Sequence, residues 1–484
     1  MSSLKQQLIT GVTYTAIAKY SGILISIIVT AVLARLLPPE DFGVMAIASV
    51  IINFFGIFTN IGFSAAIIQY KDLTSHDLSN IHTFTIWLGG ILTIAFFGSS
   101  WLIAAFYHDS QLILLCQLLS ISLFFSAAAI VPNNLFYRDK DFRFIAWRTF
   151  GIQLVCGIIS IAAALFGMGI YTLVLQPILS SLLIYVVSLH RYPQSFRWTL
   201  GISSIRKIWS YSFYQFLFGI VNYFTRNLDK LLIGNDLGMK QLGYYEKSYR
   251  LMMLPVQNIT YVLSSVMHPV LSDLQNNKLQ LSVGHERIVR LLALIGFPLS
   301  VLLYFCAPEL VILFFGNQWE ASIPVFRILS ISVAAQLVLS SSGSFFQTAG
   351  DTKNMFWCGI FSMTTTIICL LIGVYYFKTL QATAWLIVAS FYISFVQNYY
   401  VMYTKIFIKG IINFYSQLIS PLRLSIILII INYLISTFTI VSSLILSLSI
   451  KVILSLGISV GYLHFTNEPI WIELFNTYLK RNKN

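Results

Sequence analysis

Six basic side chains stand inside stretches that are otherwise apolar: Lys19, Arg226, Lys230, Arg250, Arg327 and Lys451. A charge at the centre of a bilayer costs roughly 2.5 to 3.5 kcal/mol on insertion scales, so such residues usually face a watery cavity or a partner. What Lys and Arg can do in such a place is hold an anion, above all a phosphate, by charge-assisted hydrogen bonds. Lys19 lies about eight residues into its apolar run, roughly 12 Å at 1.5 Å per residue, too deep for easy escape to the headgroups. The competing reading is a snorkelling or structurally paired lysine. Within residues 222–230, Arg226 and Lys230 are four apart and share a helical face, while Asp229, three from Arg226, is close enough to partner it. The functional reading is a cationic site with Asp229 holding or releasing Arg226; the alternative is an internal salt bridge near a helix end. Arg250 and Arg327 stand near helix starts, where snorkelling competes with a cavity role, and Lys451 lies in the last apolar run.

Other chemistries find little footing. There is no P-loop and no H-E-x-x-H motif, so neither ATP hydrolysis nor zinc hydrolysis is expected. The Asp139-Lys140-Asp141 triplet resembles a metal-binding D-x-D motif but sits among Arg138 and Arg143. The five cysteines lie in apolar runs without metal-site or disulfide spacing and read as small hydrophobes. The seven histidines read as interfacial. No catalytic residue, metal or cofactor is expected. Coupling to a proton or sodium gradient is left open, with Asp229 the carboxylate convincingly inside a span and Glu246, Glu309 and Glu320 near outer ends.

The elements that must position these residues follow from composition. Of 484 residues 57% are hydrophobic and 10% charged, whereas an ordinary soluble domain is about 25% charged. At about 20 residues per span the chain forms roughly fourteen transmembrane helices. The expected spans lie near 11–36, 44–69, 83–106, 111–131, 145–166, 169–189, 210–233, 249–270, 288–306, 323–346, 355–377, 382–403, 420–437 and 440–463. The N-terminal run, which lacks a cleavage site, reads as a retained first span, with no soluble domain before or after the bundle. With a cytoplasmic N-terminus, twenty loop and tail Lys and Arg residues fall on that side, against Arg35, Lys240, Lys247 and Lys378 on the other. This is the bias of cytoplasmic loops. It also accounts for most of the +13 net charge, which therefore points to anionic lipid headgroups rather than nucleic acid.

A repeat with an offset near 200 residues relates AlaArgLeuLeu at 34–37 to AspLysLeuLeu at 229–232, and the turn at Arg138–Lys140 to that at Asp351–Lys353. Six spans per unit place both units in the same orientation, with a pseudo-twofold axis along the membrane normal. The expected organisation is an all-α polytopic membrane protein: a six-helix lobe at 1–189, a basic and aromatic interfacial linker at 190–209, a second six-helix lobe at 210–404, and two appended helices with a basic tail at 405–484. Pro177, Pro255 and Pro298 are candidate bending points within spans.

AsnLeuAspLysLeuLeuIleGly at 227–234, LeuGlyTyrTyrGluLysSerTyrArg at 242–250, LeuPro at 254–255 and HisProValLeuSer at 268–272 resemble the signature of Wzx-type lipid-linked oligosaccharide flippases. These belong to the multidrug/oligosaccharidyl-lipid/polysaccharide exporter superfamily. LeuAlaArgLeuLeuProProGluAspPheGly at 33–43 is similar to that family's first-loop pattern. The resemblance implies two six-helix lobes around a cationic central cavity, working by alternating access in a bacterial inner membrane with both termini cytoplasmic. The implied cargo is an undecaprenyl-diphosphate-linked oligosaccharide repeat unit, moved to the periplasmic leaflet for O-antigen, capsule or exopolysaccharide synthesis. Polysaccharide polymerase and glycosyltransferase machinery are the implied partners, beside membrane lipids. By position Lys19 and Arg226 are the foremost candidates to meet the diphosphate. A multidrug or metabolite exporter of the same superfamily and a peptidoglycan-precursor flippase are the alternatives, the first more often carrying acidic cavity residues.

Overall fold

In hydrocarbon every backbone N–H and C=O must be satisfied within the chain, so long apolar runs close into helices. The computed structural model describes residues 2–60, 63–198, 216, 220, 223–224, 226–272, 278–438, 443–469 and 471–472. All regular structure among them is helical, and the chain is a multi-pass membrane protein. Eleven of the described helices are long and apolar enough to cross a membrane, or twelve if a pair bent by 41° near Ser332 is one span. The expected number was about fourteen. The seventh expected span falls partly outside the described residues. The eighth is a 34-residue helix, Met239–Ser272, whose Lys240, Glu246, Lys247 and Arg250 make its first turns polar.

Two compact units divide the chain at 243/244, so the helical stretch that follows the linker clusters with the first unit. That unit contains α1 (Ser2–Leu36), α2 (Pro39–Asn60), α3 (Phe63–Gln69), α4 (Ser75–Tyr107), α5 (Gln111–Arg138), α6 (Phe142–Leu165), α7 (Tyr171–Arg191) and α8 (226–236). Small residues let these helices approach: a Cβ on Gly157 of α6 would strike Val29 of α1, and one on Gly89 of α4 would strike Ala127 of α5. Close contact of this kind replaces the hydrophobic effect, which does little between helices already in lipid. Phe63, Ile67, Leu78, Ile81, Val131 and Leu135 form an apolar core beneath the start of α4. There Thr74 and Asp77 make a reciprocal capping box. Thr74→Ala should cost about 1 kcal/mol, read as a lower melting temperature in detergent with helix content unchanged.

The linker's described part, 190–198, lies along α4. The backbone N–H of Arg197 donates to Thr83 Oγ1 at 3.1 Å, and Trp198 meets Trp87 edge-on with ring centroids 6.2 Å apart. Residues 199–209, with Arg206 and Lys207, and the basic tail at 480–483 lie outside the described residues.

Two glycines, Gly43 and Gly243, make a pair of reciprocal contacts. A Cβ on Gly43 would overlap the carbonyl oxygen of Met239, and one on Gly243 would overlap that of Pro39. Residue 43 thus meets 239 as residue 243 meets 39, so the two helix starts pack reciprocally within the first unit. Only a residue without a side chain permits backbone approach this close.

α9 (Met239–Ser272) begins in the first unit and continues into the second, where it is followed by α10 (Lys278–Phe305), α11 (Ala307–Phe315), a 3₁₀ turn, α12 (Ile323–Ile331), α13 (Val333–Leu339) and α14 (Ser342–Thr348). Then come α15 (Thr352–Leu371), α16 (Leu380–Val401), α17 (Ile412–Phe438) and α18 (Leu444–Phe465), with single π-helical segments closing α15 and α16. The core is aromatic, built on Phe345, Phe346, Phe395, Tyr399, Tyr403 and Phe414. The last two helices are tied in by polar links: Asn432 Nδ2 of α17 donates to Ser455 Oγ of α18 at 3.0 Å, and Arg290 of α10 pairs with Glu468 beyond α18.

Two histidines depart from the interfacial expectation. His82 and His285 each stand seven residues after the first residue of their helices, Ser75 and Lys278, and both are buried. His285 is enclosed by Phe345, Tyr399, Tyr403 and Phe407, and its Nδ1 lies 3.3 Å from the Tyr403 hydroxyl. Aromatic enclosure of this kind is invisible to a loop-and-span reading.

Candidate functional site

The first unit carries four of the charged residues singled out by depth. Lys19 is half-buried on α1, and α8 presents Arg226 exposed with Asp229 and Lys230 half-buried. Asp229 Oδ1 accepts from the backbone N–H of Lys230 at 2.9 Å. Among the described residues Arg226 makes no ion pair, so Asp229 does not neutralise it here as the three-residue spacing suggested. Arg226 is therefore a guanidinium with five donors on a helix held to the first unit, where Tyr223 donates its hydroxyl to the Val50 carbonyl of α2 and Tyr107 donates to the Leu231 carbonyl at 3.5 Å.

Between α2, α5 and α7 the same unit encloses a cavity of about 500 Å³. Its wall includes Ser49, Asn53, Thr59 and Asn60 from α2 and Ser122 and Ser126 from α5, and it reaches Pro177. None of the described lining residues is charged.

In the second unit Arg250 is exposed on α9. Arg327 on α12 is half-buried and lines a larger cavity, about 940 Å³, between α10, α12, α16, α17 and α18. Its guanidinium carbon stands 5.8 Å from the centre of the Tyr304 ring, a cation–π distance, and its buried Nε has no hydrogen-bond partner among the described residues. The same cavity is bounded by Lys451 and Glu309, whose significance in sequence was missed. Lys451 Nζ lies 2.5 Å from Glu309 Oε1 and donates to the Phe305 carbonyl at 3.0 Å. Ser447 Oγ donates to the same Glu309 oxygen at 2.6 Å. Lys451 and Glu309 are 5% and 4% exposed, a depth at which neither charge persists without the other. A lysine alone in an apolar run demands a carboxylate from elsewhere in the fold; that rule, applied to Glu309, was the available signal.

The D-x-D resemblance resolves into structure. Asp139 accepts from the Tyr192 hydroxyl at 2.5 Å, and burial together with this carboxylate pushes the Tyr192 phenol up to about 12. Asp141 caps α6 by accepting from the Phe144 N–H at 3.3 Å. Both carboxylates are engaged in holding loop geometry, and no cluster of three metal-ligating side chains occurs among the described residues.

Among the described residues the chain is helical, with an uncharged polar cavity in its first unit and one bearing Arg327, Lys451 and Glu309 in its second. The profile of the family described as "Polysaccharide biosynthesis protein" matches residues 32–324, more than half of the chain, and the protein belongs to that family. It is 25% identical over 398 residues to the teichuronic acid biosynthesis protein TuaB of Bacillus subtilis, covering 81% of this chain and 80% of TuaB. It is 22% identical over 447 residues to the lipopolysaccharide biosynthesis protein WzxC of Escherichia coli K12, covering 89% and 88%. Among solved structures the fold is that of the lipid II flippase MurJ in an inward closed conformation, with a TM-score of 0.73 at 14% identity over 95% of this chain and 100% of that one. An inward-facing multidrug resistance MATE family transporter of the MOP superfamily matches with a TM-score of 0.59 at 15% identity, covering 82% of this chain and 98% of that one.

Proposed function

We propose that this protein is a lipid-linked oligosaccharide flippase of the Wzx type, moving undecaprenyl-diphosphate-linked repeat units from the cytoplasmic to the periplasmic leaflet by alternating access. The surface polysaccharide made from those units would be an O-antigen, a capsule or an exopolysaccharide. The observation that carries the reading is the match to the polysaccharide biosynthesis family over residues 32–324, supported by the basic residues that the sequence sets within apolar runs, Lys19 and Arg226 foremost. In translocation the polyprenyl tail stays in lipid, while the diphosphate exchanges its hydration for Lys and Arg donors along a wet path. Lys230, Arg250 and Arg327 are proposed to extend that supply of positive charge, and Asp229 to serve as a coupling or charge-partner carboxylate. Both termini face the cytoplasm of a bacterial inner membrane on the charge bias of the loops. The protein acts beside the polymerase and glycosyltransferases that consume and build the repeat unit.

The deep charge also separates this reading from export of organic cations, which calls for carboxylates facing the cargo. The two charged lining residues beside Glu309 in the larger cavity are Arg327 and Lys451, and Glu309 is already bound by Lys451. Protein reconstituted in vesicles should bring an undecaprenyl-diphosphate-linked oligosaccharide within reach of a glycan-modifying enzyme on the opposite side, while cells expressing it accumulate an organic-cation dye as before. Dye extrusion without glycolipid movement would reverse the assignment.

A further inference from the structure

The smaller cavity has a chemistry different from that of the cationic residues. Met45, Ser49, Asn53, Gly56 and Asn60 recur at steps of three and four along α2, so they line one helical face, and Ser122 and Ser126 stand on the facing side of α5. Asn53 is fourteen residues past Pro39, about 21 Å along the helix axis, well within a span. Polar side chains at such depth are expensive unless they meet water, a neighbour or a ligand. Some here are locally satisfied: Thr59 Oγ1 donates to the Gly56 carbonyl at 2.8 Å, Ser122 Oγ to the Leu119 carbonyl at 2.8 Å, and Asn60 Oδ1 accepts from the Ser64 N–H at 3.0 Å. Others are not. Asn53 and Ser126 are exposed to the cavity, and among the described residues neither side chain makes a hydrogen bond. The Asn53 amide brings two donors and an acceptor, and Ser126 one donor and two lone pairs.

The absence of charge among the described residues of this wall bears on what it can hold. A phosphate would find no cation and an organic cation no carboxylate, whereas sugar hydroxyls both donate and accept, as amides and hydroxyls do. Its volume, about 500 Å³, falls in the roughly 300 to 1,000 Å³ range of small-molecule sites. We infer that this chamber in the first unit receives uncharged sugar residues of the lipid-linked headgroup, with Asn53 and Ser126 as principal hydrogen-bonding contacts, while the phosphates are held by the cationic residues. The inference rests on the flippase reading and divides the headgroup between two chemistries: a charge site common to every diphosphate lipid, and a neutral site that senses the glycan.

The test uses the full-length protein in vesicles with two substrates, a polyprenyl-diphosphate-linked oligosaccharide and a polyprenyl diphosphate bearing a single sugar. Asn53→Leu combined with Ser126→Ala should slow translocation of the oligosaccharide about tenfold, the effect of losing roughly two neutral hydrogen bonds, and leave the single-sugar lipid within twofold of the unsubstituted protein. Asn53→Gln, which keeps the amide, should retain most of the oligosaccharide rate. Equal loss on both substrates, or loss on neither, overturns the inference. If the unsubstituted protein moves neither lipid, the flippase reading itself fails, so the two failures are distinct. As a measure independent of transport rate, Ser126→Cys should be alkylated by a hydrophilic maleimide, the five native cysteines being buried. The oligosaccharide lipid should protect it and polyprenyl diphosphate alone should not; labelling that is absent, or equal with both lipids, also overturns the inference.

Discussion

Lys451→Leu is expected to destabilise the protein by about 3 to 5 kcal/mol, the range for removing one partner of a buried ion pair. The substitution leaves Glu309, 4% exposed, with Ser447 as its remaining donor among those seen here. In the intact protein Oε2 of Glu309 has no hydrogen-bond partner among the described residues. Glu309→Gln should be milder, because the amide still accepts from Ser447 and Lys451 through its oxygen. Replacing both partners by methionine removes the uncompensated charge as well as the attraction, and should recover most of the loss. Thermal unfolding in detergent, compared across the two single variants and the double variant, checks this. A double variant as unstable as Lys451→Leu would mean that packing, rather than charge, sets the effect.

Replacing Lys19 and Arg226 together by alanine should reduce glycolipid translocation about a hundredfold while the protein still inserts and folds. Each charge-assisted hydrogen bond contributes about 1.5 to 3 kcal/mol, so even the low end of two such losses gives a factor of that size. Neither residue is part of a buried core: Arg226 is exposed and Lys19 half-buried, which separates this substitution from that of Lys451. Because a phosphate accepts from either cation, Lys19→Arg with Arg226→Lys should keep a substantial part of the rate. Raised ionic strength should weaken the unsubstituted protein's grip on the headgroup more than that of the alanine variant. Full translocation by the alanine variant would remove both residues from the path.

Much of this architecture was legible because a bilayer imposes one solution on an apolar run. Long hydrophobic stretches, short polar turns and the one-sided Lys and Arg together locate most helices, and the described helices follow them. The reciprocal packing of Gly43 against Met239 and Gly243 against Pro39 is visible only in the coordinates. What escaped was long-range pairing. Lys451 and Glu309 are 142 residues apart, and no local spacing connects them, whereas the attractive local pair, Arg226 with Asp229, is not formed. Helical periodicity fixes which residues share a face but leaves open whether that face meets lipid, water or another helix. The polar steps at Ser49, Asn53, Gly56 and Asn60 were open to the same periodicity argument and were hidden by attention to charge. The buried His82 and His285 show the same limit, since their partners arrive from distant helices.

The measurement that bears most directly on the role of the deep positive charges compares two lipids in the same vesicles. One carries the oligosaccharide on polyprenyl diphosphate, the other carries the identical oligosaccharide on polyprenol without phosphate. The account predicts that the diphosphate lipid crosses rapidly and that the phosphate-free lipid crosses no faster than in vesicles lacking the protein. Equal protein-dependent movement of both would contradict it.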